Sequence, residues 1–144
     1  MKIVLKSKGN GTSLFWRVKA NSYISINKND TKSIYKKVDN TTILNMLTGN
    51  VMEIKDKNLK VYRPDVSTDF GDKFTKAEYA KLPAGSIFGV PNYFWSGRRF
   101  FMKISDYTVY NFEKNCISAG LNGNPIPAQV DYCNSAHLII WYEE

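Results

Sequence analysis

The sequence is short of the residues on which most enzyme chemistry depends. Its single histidine, His137, sits in the apolar run Ala136 to Tyr142. A histidine in such surroundings reads as a hydrogen-bonded core residue rather than a base or a ligand. Without a second histidine, an ordinary zinc site has no ligand set. Two cysteines, Cys116 and Cys133, are too few for a disulfide framework and read as free buried thiols. No GxGxxG or Walker-type glycine loop is present to cradle a phosphate. No apolar run approaches membrane-spanning length. The N-terminal MKIVLKSKGNG has an apolar run of only Ile3 to Leu5, unlike a signal peptide. These absences lead us to expect a soluble, cytoplasmic protein with no catalytic residues, no metal and no cofactor.

What is present is positive charge and aromatic surface, unevenly placed. The 144 residues carry a formal net charge of +7. Residues 1–72 hold 13 Lys/Arg against 7 Asp/Glu, whereas residues 73–144 hold 7 against 6. Aromatics run the other way, 6 in the first half and 14 in the second. The front half therefore supplies field and the back half apolar mass. A positive field favours acidic partners and speeds encounter with them.

The densest aromatic cluster is Ser86 to Ile104, SIFGVPNYFWSGRRFFMKI. Ser96-Gly97 has the chemistry of a tight hairpin turn. That turn sets Trp95 opposite Arg98, Phe94 opposite Arg99 and Tyr93 opposite Phe100. Side chains alternate between faces. Tyr93, Trp95, Arg98, Phe100, Met102 and Ile104 then share one face; Asn92, Phe94, Arg99, Phe101 and Lys103 share the other. The second face is either half of a doubly buried sheet or a surface for something acidic and flat. Ser13 to Lys19 repeats the pattern, with Phe15, Arg17 and Lys19 opposite Leu14, Trp16 and Val18.

Short alternating runs account for most of the rest. Strands are expected at 2–6, 13–19, 23–26, 33–38, 41–46, 50–54, 58–62, 107–112, 115–119, 130–133 and 136–142. Short loops favour antiparallel neighbours. Thr75-Lys76-Ala77-Glu78 is a capping-box pattern, and Pro83 and Gly85 would end the helix it starts. The expected fold is all-β or β-rich α+β, an antiparallel small barrel or sandwich with one short helix near 76–82. It is taken as a single domain, 1–144, with a division into two β subdomains near 63–73 as the alternative. ILNMLTGNVMEI (43–54) and ISAGLNGNPIPA (117–128) both place Gly-Asn after a leucine-containing run, which reads as shared turn chemistry more readily than as duplication.

The functional expectation is a non-catalytic binding protein. Its basic, aromatic-bearing β surface would use Phe15, Arg17, Lys19, Phe94, Trp95, Arg98, Arg99, Phe101 and Lys103 to occlude an acidic partner, a host protein rather than nucleic acid. In overall character the chain resembles the small accessory proteins of bacterial viruses, a likeness of composition that implies an inhibitor or sequestering protein. Three alternatives stand beside it: a single-stranded nucleic-acid or nucleotide binder using the same residues, a structural component that forms homo-oligomers, and a Mg-dependent nuclease. The last rests on Asp39 with Glu53-Ile54-Lys55, which resembles the PD-(D/E)xK pattern in three residues. A solvated strand edge accounts for those residues far more readily. Asp65, Asp69 and Asp72 lack the spacing of a calcium loop and read as a solvated acidic segment.

Overall fold

Alternating side chains and frequent turn residues favour extended chain over helix, and the computed structural model is built accordingly. It describes residues 2–6, 9–28, 30–91, 98–121 and 123–141. In chain order the strands begin with β1 (Lys2–Lys6), β2 (Gly9–Leu14), β3 (Tyr23–Ile24), β4 (Tyr35–Lys37), β5 (Thr42–Asn45), β6 (Val51–Glu53) and β7 (Lys60–Asp69). They continue with β8 (Phe74–Glu78), β9 (Ile87–Pro91), β10 (Arg98–Lys103), β11 (Thr108–Asn111), β12 (Cys116–Ala119), β13 (Gln129–Cys133) and β14 (His137–Trp141). Three sheets result, ordered β1-β14-β7-β2, β3-β4-β5-β6 and β12-β11-β10-β9-β13-β8. None closes into a barrel. All pairings between named strands are antiparallel except β1 with β14, which is parallel.

The expected helix near 76–82 is instead strand and turn. Phe74–Glu78 pairs along β13, with Thr75 opposite Tyr132. The Thr75 hydroxyl, which a capping box would use, bonds the Asn134 side chain at 2.6 Å. Only Tyr79–Lys81 is helical, as a single 3-10 turn, and its N-cap Glu78 makes no side-chain cap. A second 3-10 turn, Phe15–Arg17, interrupts the strand expected over 13–19. Within residues 63–73, where the sequence suggested a division between subdomains, 65–69 are the outer part of β7 and pair with β14. The β9–β10 hairpin exists, but in another register: Phe100 lies opposite Gly89 and Arg99 opposite Val90. Arg99, Phe101 and Lys103, two apart along one strand, share a face in either register. The expected pairs through Tyr93, Phe94 and Trp95 fall outside the described residues.

Two stretches of chain follow one plan. The first runs from β2 through Phe15–Arg17, β3, β4, β5 and β6 into the start of β7. The second runs from β8 through Tyr79–Lys81, β9, β10, β11 and β12 to β13. Their registers correspond residue by residue. Ser13 faces Val61 as Ala77 faces Val130. Ser25 bridges Tyr62 as Gly89 faces Asp131. The Phe15 amide donates to the Leu59 carbonyl at 2.8 Å, and the Tyr79 amide to the Ala128 carbonyl at 2.9 Å. Residues of positive φ, Asn21 and Gly85, send their amides to the carbonyls of Lys37 and Lys103 at 2.7 and 2.8 Å. Each motif closes its own core: Phe15, Ile24, Tyr35, Ile43 and Val61 in one, and Tyr79, Phe88, Phe101, Val109 and Val130 in the other. The similarity of 43–54 to 117–128 is not the one the structure follows. The hairpin Thr42–Asn45 with Val51–Glu53 corresponds to Thr108–Asn111 with Cys116–Ala119.

A third cluster lies where the motifs meet. Ile34, Leu44 and Met46 of the first pack with Ile87, Met102, Tyr110 and Cys133 of the second, and with Leu138 and Ile140 of β14. The contact is reciprocal at the hairpin turns. A Cβ on Gly49 would fall 2.7 Å from the Gly85 nitrogen, and one on Gly85 would fall 2.8 Å from the Leu47 carbonyl oxygen. In the other direction Asn115, the counterpart of Gly49, donates its amide to the carbonyls of Lys37 and Val38, each at 3.2 Å. Both Gly49 and Asn115 hold positive φ.

Candidate functional site

The residues expected to form a basic, aromatic surface separate into four groups. Phe15, Phe101 and Lys103 are buried and cannot contact a partner. Phe15 is fully enclosed in the first core, and Phe101 stacks on Phe88 at 5.6 Å between ring centres. Lys103 turns its ammonium inward to the Tyr79 and Ala80 carbonyls at 2.8 and 3.4 Å, with the Asp106 carboxylate at 3.5 Å. Lys37 does the same in the first motif, donating to the Phe15 and Val18 carbonyls at 2.8 and 2.7 Å. These two lysines hold the 3-10 turns; a buried ammonium is tolerable when carbonyl oxygens replace its water. Arg17 and Lys19 are exposed, with Arg17 lying over the Trp16 ring at 5.0 Å. Phe94 and Trp95 lie outside the described residues, and of Arg98 only its backbone place in β10, opposite Pro91, is described.

Among the described residues of the nine, Arg99 lines a cavity. The pocket holds about 350 Å³. Phe70, Phe100 and Phe112 form its apolar wall, with Phe70 stacked on Phe100 at 4.1 Å and edge-on to Phe112 at 4.9 Å. Tyr23 and Thr68 contribute hydroxyls that bond each other, and Glu113 a carboxylate at the rim. Lys36 contributes an ammonium.

Lys36 is the unusual member. It is 7% exposed, yet among the described residues its ammonium meets neither a hydrogen-bond acceptor nor a carboxylate. Its neighbour is the face of the Tyr23 ring, 4.0 Å from Nζ to the centroid. Cation–π attraction compensates only in part for lost water. Burial accordingly pushes the Lys36 pKa down to about 8, and it raises that of the Tyr23 phenol, against the Thr68 bond, which lowers it.

The motif comparison shows how this arose. Tyr23 faces Lys36 across β3 and β4. The corresponding pair across β9 and β10 is Ile87 with Met102, both buried in the shared core. An apolar pair in one motif is thus a tyrosine and a lysine in the other. Sequence reasoning missed Lys36 because Tyr35-Lys36-Lys37 reads as an ordinary solvated strand end. The signal that could have found it is Lys37 to Asn45 beside Lys103 to Asn111, which share Lys, Thr and Asn at equal spacing and would have aligned Lys36 with Met102.

The other chemical candidates lie apart from this pocket. Asp39 accepts the amides of Thr41 and Thr42 at 3.0 and 2.8 Å, bonds that hold its carboxyl below the usual range. Glu53 and Lys55 are exposed. Among the described residues no group of three His, Cys, Asp or Glu is placed to hold a metal ion. His137 pairs through Nδ1 with the Ser135 carbonyl at 2.9 Å and lies 3.8 Å from the Asp69 carboxylate. Cys116 is a free thiol, and the buried Cys133 thiol donates to the Asp131 carbonyl at 3.9 Å. No helix among the described residues is long and apolar enough to cross a membrane. No protein-family model, curated protein or solved structure matches the chain.

Proposed function

We propose that this is a non-catalytic binding protein that sequesters or occludes an acidic partner protein by taking one of its carboxylates into the Lys36–Arg99 pocket. The observation that carries the reading is Lys36, a residue only 7% exposed whose ammonium has no acceptor among the described residues, at a position where the second motif places Met102. The nitrogen keeps some contact with the water of the pocket, and a ligand anion would supply a counter-charge against it. Arg99 would supply a planar second donor, and the phenylalanine wall would cover the apolar stem of the entering side chain. The net charge of +7 would steer an acidic partner towards the molecule from any side.

The test is retention of proteins from a nuclease-treated bacterial lysate by wild type, Lys36→Met and Arg99→Ala. A protein held by wild type and lost by both variants supports the reading. Equal retention by all three removes the pocket from it. A second reading, binding of a nucleotide or single strand, draws on the same aromatic wall and cations. It requires retention that nuclease abolishes and an affinity falling steeply with salt.

A further inference from the structure

The buried Lys36 amine has a use that charge alone would not need. We propose that Lys36 is a nucleophilic amine that captures small anionic aldehydes as imines, with Arg99 gripping the anionic group. The inference rests on the pocket reading above and adds a covalent step to it.

Three observations meet here. The amine is inside a cavity of about 350 Å³, near the lower end of the range that accommodates small molecules. No acceptor or carboxylate among the described residues engages it, so its nitrogen is free to react. A guanidinium and a phenylalanine wall line the same cavity, so a molecule with an anionic end and a flat or apolar body would be held as well as attacked. Besides Lys36, the ionisable or charged groups lining the cavity are Tyr23 from β3, whose ring Lys36 meets, Arg99 from β10 and Glu113 from the β11–β12 turn. By contrast, the other buried lysines, Lys37 and Lys103, spend their ammonium protons on backbone carbonyls.

The chemistry balances without an oxidant or reductant. The neutral Nζ lone pair attacks the aldehyde carbon and a C–N bond forms. One proton passes from nitrogen to the carbonyl oxygen to give a carbinolamine. The second nitrogen proton is then lost as the hydroxyl takes up a proton and leaves as water, and the C=N bond of the imine closes. The step is reversible, so the captured molecule is held rather than turned over. Burial favours it by holding the Lys36 pKa near 8. At neutral pH the fraction of neutral amine is then on the order of a hundredfold above that of an ordinary lysine.

The experiment uses the full chain and two probes, pyridoxal 5′-phosphate as an anionic aldehyde and benzaldehyde as an uncharged one. Imines are trapped with borohydride at short times and located by peptide mapping. With pyridoxal 5′-phosphate, Lys36 should be modified at least about tenfold faster than exposed lysines such as Lys19 and Lys55, with a rate that levels off above about pH 8. Arg99→Ala should slow Lys36 about tenfold with the phosphate probe and leave the benzaldehyde rate nearly unchanged. Labelling spread evenly over exposed lysines, or an Arg99→Ala effect equal for both probes, overturns the inference. Lys36→Arg loses the amine and should form no trapped imine at position 36, and retention of the partner by wild type is measured separately in the lysate assay. Absence of the imine from wild type with the partner still bound refutes the capture alone. Loss of the partner from wild type and variants alike refutes the binding reading.

Discussion

The two motifs of this chain share a backbone plan and differ in what fills one cross-strand pair. In the second motif Ile87 and Met102 complete an apolar core beneath β14. In the first, Tyr23 and Lys36 stand in the same relation and border a pocket. The parts that hold each motif together are kept in both: the lysine that ties the 3-10 turn, the asparagine that closes the hairpin, the small residue of positive φ before β3 or β9. Asn45 accepts the amides of Leu47 and Thr48, and Asn111 those of Glu113 and Lys114, all within 2.9 to 3.2 Å. A position that structure does not require to be polar, and that is nonetheless charged, is where function is most economically sought.

The largest effect should come from the contact between motifs. Gly85→Ala puts a Cβ within 3 Å of the backbone of Leu47 and Thr48 at positive φ. We expect a loss of about 3–4 kcal/mol, read as a lowered urea midpoint. Asn21→Ala, its counterpart in the first motif, should cost less than half as much if the close approach rather than the backbone angle dominates. Equal losses would show that the conformation alone sets the cost.

Next come the tying lysines. Lys37→Met and Lys103→Met each strip two backbone carbonyls of a charged donor. Each should cost about 2–3 kcal/mol in denaturant unfolding. If one is near neutral, that motif does not need its tie, and the equivalence of the two fails at that point.

Lys36→Met should act with the opposite sign. Replacing the unpaired ammonium by the side chain of the second motif should stabilise by about 1–2 kcal/mol while abolishing partner binding. The pH dependence follows from the depressed pKa. An unfolded lysine keeps its proton to about pH 10.5, whereas folded Lys36 loses it near 8. The unfolded chain thus binds more protons between those values, and stability should rise through that window. The penalty is fully present below pH 8. Comparison of wild type with Lys36→Met across pH 7 to 10.5 should show the difference between them shrinking, and a constant difference would place the Lys36 charge outside the stability balance.

The smallest expected effect is at Asp39, whose counterpart in the second motif is Ser105. Hydrogen bonds from Thr41 and Thr42 favour its carboxylate, so its contribution is full above the unfolded pKa and fades as pH falls through the lower folded value. Asp39→Ser should leave neutral stability nearly unchanged and slightly blunt the acid-side decline.

Strand positions were legible because alternation and turn residues are local signals. β1 falls on the expected KIVLK, and β5, β11, β12 and β13 lie within a residue or so of expectation. What failed depended on distant partners. Thr75 to Glu78 has the right spacing for a capping box, but β13 offers the same residues a full ladder. Phe15 to Arg17 alternates like a strand, but its carbonyls are gathered into a turn by Lys37, which no local pattern foretells. The aromatic and basic residues of β10 were correctly placed on alternate faces. The sheet is buried on both sides there, so Phe101 and Lys103 are core, while Arg99 and Phe100 line the candidate site.

The position of β14 bears on how the molecule is made. It lies between β1 and β7, parallel to one and antiparallel to the other, and it carries Leu138 and Ile140 into the shared core. A ribosome delivers it after every other described strand. Until it emerges, the flanking edges of β1 and β7 have no neighbour between them, and the nascent chain must be shielded from aggregation there. The two motifs, each with its own local pairings, can form earlier, so assembly should proceed as two quick local steps and one late insertion that locks them.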